Sequence, residues 1–72
     1  MKTTNYEIYD QTDKTLGYVQ AENKARALAI FIEKEILGVM QGWVEVRSSQ
    51  IEGRTFTHHN SKEYMSIFAK EC

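Results

Sequence analysis

The sequence predicts one small α+β domain over residues 1–72, a two-layer sandwich with the element order ββαββα. Three observations predict this class. Two runs of alternating residues flank a polar turn near the start of the chain. A stretch with apolar residues at helical spacing follows them. The composition, with 42% hydrophobic and 26% charged residues and no proline, is that of a folded domain.

The first two strands are expected to form a hairpin. Asn5–Asp10 alternates and is rich in aromatic and β-branched residues, which is typical of a half-buried strand. The polar residues 11–14 predict a turn, because an aspartate there can hydrogen bond to the nearby backbone. Thr15–Ala21 then predicts the second strand.

A long helix is predicted from Lys24 to Leu37. Asn23 supplies an N-cap oxygen, and Gly38 is expected to leave the helix in the left-handed conformation. Residues placed at 100° intervals form one apolar stripe that packs against the sheet. The stripe contains Ala25, Leu28, Ala29, Ile32 and Ile36. Ile30 falls on the opposite, outer side together with Leu37.

The second half of the chain predicts two further strands and a closing helix. Trp43–Ser48 alternates as the third strand, and Arg54–His58 is a weaker fourth strand after a turn at 52–53. Ser61 is expected to cap a last helix, Lys62 to about Glu71. The apolar residues on one side of that helix are Tyr64, Met65, Ile67 and Phe68. A right-handed crossover through the long helix places the third strand beside the first, so the expected sheet is mainly antiparallel with the order 2-1-3-4.

Ile30 and Leu37 form the first candidate interaction surface, since two apolar residues on an outer helix face need a cover. The closing helix is one candidate cover. The other is a partner protein, and a homodimer through this outer helix face belongs to that alternative.

The second candidate surface is the face of the sheet opposite the long helix. If the valines at 44 and 46 point toward the core, Trp43 and Arg47 point outward. Together with Tyr9 and Tyr18 they have the composition of an interface centre, where Trp, Tyr and Arg are enriched. The alternative is that the closing helix covers this face.

Two basic residues open the long helix, which is the reverse of what the helix dipole favours. Lys24 and Arg26 occupy its first turn and, with the N–H groups there, are candidates to bind a phosphate or a partner's carboxylate. The alternative is that neighbouring charges offset a penalty of only about 0.3–1 kcal/mol per charge.

The sequence does not predict catalytic or metal chemistry. His58 and His59 are adjacent, so in a strand they are expected to point to opposite faces and not to share a metal ion. Cys72 has an acidic neighbour and is expected to be an exposed, inert thiol. No phosphate-binding glycine loop, nucleophile elbow or zinc-protease motif occurs, so we expect no cofactor and no enzyme activity.

Size and charge favour a protein-interaction module. The net charge is −1, which provides no basic surface for nucleic acid. We expect a non-catalytic module that binds a larger protein or complex, similar in format to small inhibitors encoded by phages, including anti-CRISPR proteins. The alternative is a small RNA-binding domain that stacks bases on the aromatic sheet face, although Glu7 and Glu45 on that face would repel phosphates.

A cytoplasmic location is expected, in the host cytoplasm if the protein is phage-encoded. The longest apolar stretch, 27–32, is too short for a secretory signal or a membrane span. A single cysteine fits a reducing compartment.

Overall fold

The structure, a computed structural model, describes residues 2–46 and 52–72. Within these two ranges the chain forms five strands and one helix. In chain order they are β1 (Thr4–Asp10), β2 (Thr15–Ala21), α1 (Lys24–Glu35), β3 (Trp43–Val46), β4 (Arg54–His58) and β5 (Tyr64–Glu71).

All five strands belong to one antiparallel sheet with the order β2-β1-β5-β4-β3. The chain is therefore α+β in its broad class, but the predicted ββαββα order and the 2-1-3-4 sheet are wrong. β5 pairs with β1 in the place predicted for β3, and β3 lies at the far edge. The helix α1 carries the chain from one edge of the sheet to the other.

The predicted closing helix is wrong because this segment is the strand β5. Its side chains alternate: Met65, Ile67 and Ala69 face the same side as α1, whereas Tyr64 and Phe68 face the other. Ile67 is fully buried. The strand pairs with β4 over its first half and with β1 over its second half. As a central strand, β5 provides hydrogen-bond partners for backbone groups of both β1 and β4. A helix packed on the surface would leave those groups of β1 and β4 without partners.

Several local predictions are confirmed. The bounds of β2 and β4 are those predicted, and α1 begins at Lys24 as predicted. The Oδ1 of Asn23 accepts a hydrogen bond from the N–H of Arg26 at 2.9 Å, which caps the helix. The predicted third strand ends at Val46 within the described residues, and its last two positions lie outside them.

The left-handed glycine is not the one predicted. α1 ends at Glu35, and the residues after it form turns. Among the described glycines, Gly42 is the one with a positive φ, of 85°, and it sits where the chain enters β3. Gly38 does not have a positive φ, so the expectation for it is wrong.

The turn between β1 and β2 is organised by Asp10. Its Oδ1 accepts hydrogen bonds from the N–H and hydroxyl of Thr12, at 2.8 and 2.6 Å, and from the N–H of Lys14 at 3.1 Å. These bonds, the Thr12 hydroxyl first among them, lower the pKa of the Asp10 carboxyl. The turn also holds Asp13 at a φ of 65°.

The core lies between α1 and one face of the sheet, and it contains Tyr6, Ile8, Val19, Ala21, Ala27, Leu28, Phe31, Met40, Phe56, Ile67 and Ala69. The predicted helix stripe is right in part: Leu28 is buried and Ile32 packs against the core, but Phe31 is buried whereas Ala25 and Ile36 are exposed. Phe31 fits because it packs on Gly17 of β2, where a Cβ would lie 3.1 Å from its ring.

An ion pair joins β3 and β4 beside this core. Arg54 donates from its Nε and Nη2 to the two carboxylate oxygens of Glu45. This hydrogen bonding lowers the pKa of Glu45 and raises that of Arg54. No helix in the described part of the chain is long and apolar enough to cross a membrane.

Candidate functional site

One face of the sheet has no layer packed on it within residues 2–46 and 52–72. α1 lies on the opposite face, where it contacts β2, β1 and β5. We call the uncovered side the open face. By the strand registers, it carries Asn5, Glu7, Tyr9, Thr15, Tyr18, Gln20, Val44, Val46, Thr55, Thr57, Tyr64, Ser66, Phe68 and Lys70. A sheet face that folding does not bury is available for recognition.

The centre of the open face is an aromatic pair on the adjacent strands β1 and β5. The rings of Tyr9 and Phe68 stack, with centroids 5.5 Å apart. Lys70 Nζ lies 4.9 Å from the centroid of the Tyr9 ring. Phe68 also lies against Gly53, where a Cβ would be 2.6 Å from a ring carbon. The two rings are therefore held in place by one another and by their neighbours.

Three large side chains project from the open face around this pair. Tyr18 on β2 is 67% exposed, Tyr64 on β5 is 66% exposed, and Val44 on β3 is 55% exposed. They lie on an edge strand, the central strand and the opposite edge strand. Their exposure spans the width of the sheet, as expected of a surface that a second molecule covers.

The open face is electrically balanced. Among its described side chains the charged ones are Glu7 and Lys70, and their Oε2 and Nζ atoms lie 4.0 Å apart. The same oxygen of Glu7 accepts a hydrogen bond from the hydroxyl of Thr15 at 2.6 Å. The surface therefore offers polar and aromatic contacts but no cluster of cations.

The structure reverses the predicted phase of β3. Trp43 packs against the core, and its ring meets that of His58 edge-on at 5.2 Å between centroids. Val44 points outward instead. The alternation was predicted correctly, but the larger apolar surface of the indole is the one that is buried. Trp43 therefore lies on the covered side of the sheet, and Arg47 lies outside the described residues.

Tyr9 and Tyr18 do lie on the open face, as predicted, on neighbouring strands. Tyr18 stands opposite Glu7 in the register. The structure thus brings together two of the four aromatic and arginine residues proposed from the sequence, Tyr9 and Tyr18.

The basic residues at the start of α1 are exposed and separate. Lys24 lines a small cavity of about 90 Å³ at the margin of the open face, and Arg26 does not line it. The other lining residues are Tyr9, Leu28, Glu52, Phe68, Ala69 and Lys70. Glu52 shares this cavity with the two lysines, so the charges there are mixed.

The two residues of the predicted outer helix surface differ in environment. Ile30 is partly buried and packs against the core, so its predicted outer position is wrong. Leu37, just past the end of α1, is 84% exposed. The closing helix that was to cover them does not exist, because that segment is β5.

The histidines at the end of β4 do not diverge as predicted. The rings of His58 and His59 stack with centroids 5.2 Å apart and planes 12° from parallel, since His59 lies in the turn after the strand. The Nδ1 of His59 is 2.8 Å from the carbonyl oxygen of Gly42. No cluster of three metal-ligating side chains occurs in the part of the chain that the structure describes, and Cys72 is exposed.

Sequence reasoning missed Tyr64, Phe68 and Val44 as members of this surface. The alternation of Tyr64, Ser66, Phe68 and Lys70 with apolar residues between them was a signal for a strand with one open side. The same segment also has apolar residues at helical spacing, and for that reason a helix was predicted there instead of a strand.

Comparisons of the chain with protein-family models, with curated proteins and with solved structures find no match.

Proposed function

We propose that this protein is a non-catalytic interaction module that binds another, larger protein through its open face. The observation that supports this most directly is the set of three exposed side chains, Tyr18, Tyr64 and Val44, on the same face as the stacked Tyr9–Phe68 pair. Tyrosine combines large contact area with few rotatable bonds, and it is enriched where binding energy concentrates.

A protein partner fits this surface better than RNA. Recognition of single-stranded RNA uses exposed ring faces on which bases stack, together with cations along the backbone path. Here the Tyr9 ring is already contacted by Phe68 and Lys70. Lys70 is also close to Glu7, which reduces its attraction for a phosphate.

The size of the open face is consistent with a modest, specific interface. The five strands lie about 4.8 Å apart and have between four and eight described residues each, at about 3.3 Å per residue, which gives a footprint of about 500 Å². A standard interface buries about 800 Å² on each partner. One open face is thus somewhat smaller than a standard recognition patch.

The mode of action that we propose is occupation of a functional surface on the larger protein. A domain of 72 residues has little room for an active site beside its core, so we propose that it acts by blocking or positioning its target. This is the format of small phage-encoded inhibitors such as anti-CRISPR proteins, and we place the proposed action in the cytoplasm.

The test is capture from a nuclease-treated cell extract with the immobilised chain and its variants. Tyr64→Lys and Val44→Lys each put a charge on the exposed part of the proposed contact without removing core volume. We expect each to reduce the captured target by about tenfold or more. Glu33→Lys, on exposed helix surface, is the control and should capture as the wild type does.

Equal capture by wild type and both open-face variants would contradict the proposal. A fluorescent RNA oligonucleotide supplies the second arm of the test. RNA binding that weakens steeply with salt and is lost in Tyr64→Lys would show that the open face binds a nucleic acid and not a protein.

A further inference from the structure

We propose that two copies of this chain pair antiparallel along β2, so that their sheets join into one continuous sheet. β2 is an edge strand and pairs with β1 on one side. On its other side, no backbone or side-chain hydrogen bond to its N–H and C=O groups is seen in the described residues. These unpaired groups are a template for another strand.

β2 lacks two of the devices that usually protect an edge, charge and proline, and its one irregularity is the bulge at Leu16, where the register with β1 shifts. Its seven residues, TLGYVQA, include no charged side chain and no proline. The other edge, β3, carries Glu45 among its described residues. Charge is a common protection of edge strands, so β2 is the edge more open to pairing.

The ends of β2 are complementary to themselves. Lys14 comes just before the strand and Glu22 just after it. Antiparallel pairing about a two-fold axis at Tyr18 brings Lys14 of each copy close to Glu22 of the other, with the bulge at Leu16 between Lys14 and the axis. Neither residue takes part in the ion pairs seen within the described chain. Charge complementarity thus selects a second copy as the occupant.

The helix supports the same arrangement. Phe31 packs on Gly17 of β2, whereas Leu28 lines a cavity with Ala69 of β5, farther into the sheet. At 100° per residue, Ile30 is then on the flank of α1 that lies toward the β2 edge. The two-fold axis puts both α1 helices on the same side of the joined sheet. The flanks that carry Ile30 therefore face each other, and each helix shields the other's flank from solvent.

The pairing also bears on the open face. A two-fold axis perpendicular to the sheet keeps both open faces on one side, which doubles the footprint to about 1,000 Å². That exceeds the area of a standard recognition patch. The inference concerns the edge of the sheet and stands whether or not the open face binds a target.

The first test measures the mass of the whole chain in solution between about 1 and 300 μM by light scattering and sedimentation. The expected result is a dimer of twice the 8.4 kDa chain mass. Lys14→Glu should raise the dissociation constant about tenfold or more, because it makes two like-charge pairs. Combining it with Glu22→Lys should restore the wild-type value to within about threefold. A monomer throughout, or no restoration by the double variant, would overturn the proposal.

The second test uses two matched tyrosines. Tyr18→Lys places two cations opposite each other at the two-fold axis, whereas Tyr64→Lys changes an equally exposed tyrosine on β5. We expect the first to dissociate the dimer and the second to leave it intact, with equal thermal stability at low concentration. Loss of the dimer in both variants would mean that the copies associate through their open faces. Capture of a foreign target is scored separately, so failure of that proposal leaves this one standing.

Discussion

The side-chain amide of Gln11 takes the place of a backbone peptide against Ser66 of β5. Its Oε1 accepts a hydrogen bond from the N–H of Ser66 at 2.8 Å, and its Nε2 donates to the carbonyl of Tyr64 at 3.2 Å. β1 ends at Asp10, which pairs with Ile67. The amide therefore extends the β1–β5 ladder by one step beyond the end of the strand.

Gln11→Ala is expected to lower the free energy of unfolding by about 1–2 kcal/mol, since each net hydrogen bond contributes about 0.5–1.5 kcal/mol. Urea denaturation at pH 7 measures this. Gln20→Ala is the control, because its exposed side chain makes no hydrogen bond recorded in the described residues. Similar losses for the two variants would show that the Gln11 amide is not part of the ladder.

The reversed phase of β3 makes a prediction about stability. Trp43→Ala should cost roughly 2–4 kcal/mol, because the indole packs against the core and His58. Val44→Ala, at an exposed position one residue later, should change the stability by about 0.5 kcal/mol or less. Thermal and urea denaturation measure the loss of stability in each variant. A larger loss for Val44→Ala than for Trp43→Ala would support the orientation of β3 that the sequence predicted.

Gly53 is expected to be intolerant of any side chain. A Cβ there would lie 2.1 Å from the carbonyl oxygen of Ile67 and 2.6 Å from the ring of Phe68, so backbone has to move. Gly53→Ala should therefore destabilise the fold by about 1–3 kcal/mol. At Gly38 the nearest atom is the carboxylate end of Glu35, at 3.0 Å, which can swing away. Gly38→Ala is thus the control, and melts that rank it as the costlier change would contradict the close contact at β5.

The Glu45–Arg54 pair makes the stability depend on pH. Because hydrogen bonds from Arg54 lower the pKa of Glu45 in the folded chain, its contribution is present above the ordinary value of 4.5 and is lost as the pH falls below it. Both groups are partly exposed, so Glu45→Gln should cost only about 0.5 kcal/mol at pH 7. As the pH falls below 4.5, the difference in unfolding urea concentration between the variant and the wild type should shrink. A difference that persists at low pH would assign the effect to packing instead of charge.

Local patterns predicted the first half of the fold well and the sheet order poorly. The alternation of β1 and β2 and the cap at Asn23 are properties of neighbouring residues, which are read directly from the sequence. The pairing of Tyr9 with Phe68 joins residues from opposite ends of the chain. No local pattern encodes such a pair, so the place of β5 in the sheet could not be predicted.

The β5 segment was also locally ambiguous. Tyr64, Met65, Ile67 and Phe68 have the spacing of one side of a helix, yet the same residues alternate as a strand with two apolar faces. The burial of Ile67, which pairs with Asp10 of β1 on one side and Arg54 of β4 on the other, decides between the two, and these are tertiary contacts. The same error affected the candidate site: Phe68, one of the two stacked aromatic residues, lies on β5 and was therefore not predicted on the open face.

The central position of β5 determines when the protein is able to fold. β1, β2, α1, β3 and β4 are all synthesised before β5, yet β1 and β4 meet only through it. Until about residue 71 leaves the ribosome, the β1–β2 hairpin and the β3–β4 hairpin are two fragments with no shared ladder. Closing the sheet then fixes contacts between distant parts of the chain, so we expect folding in milliseconds to seconds instead of microseconds.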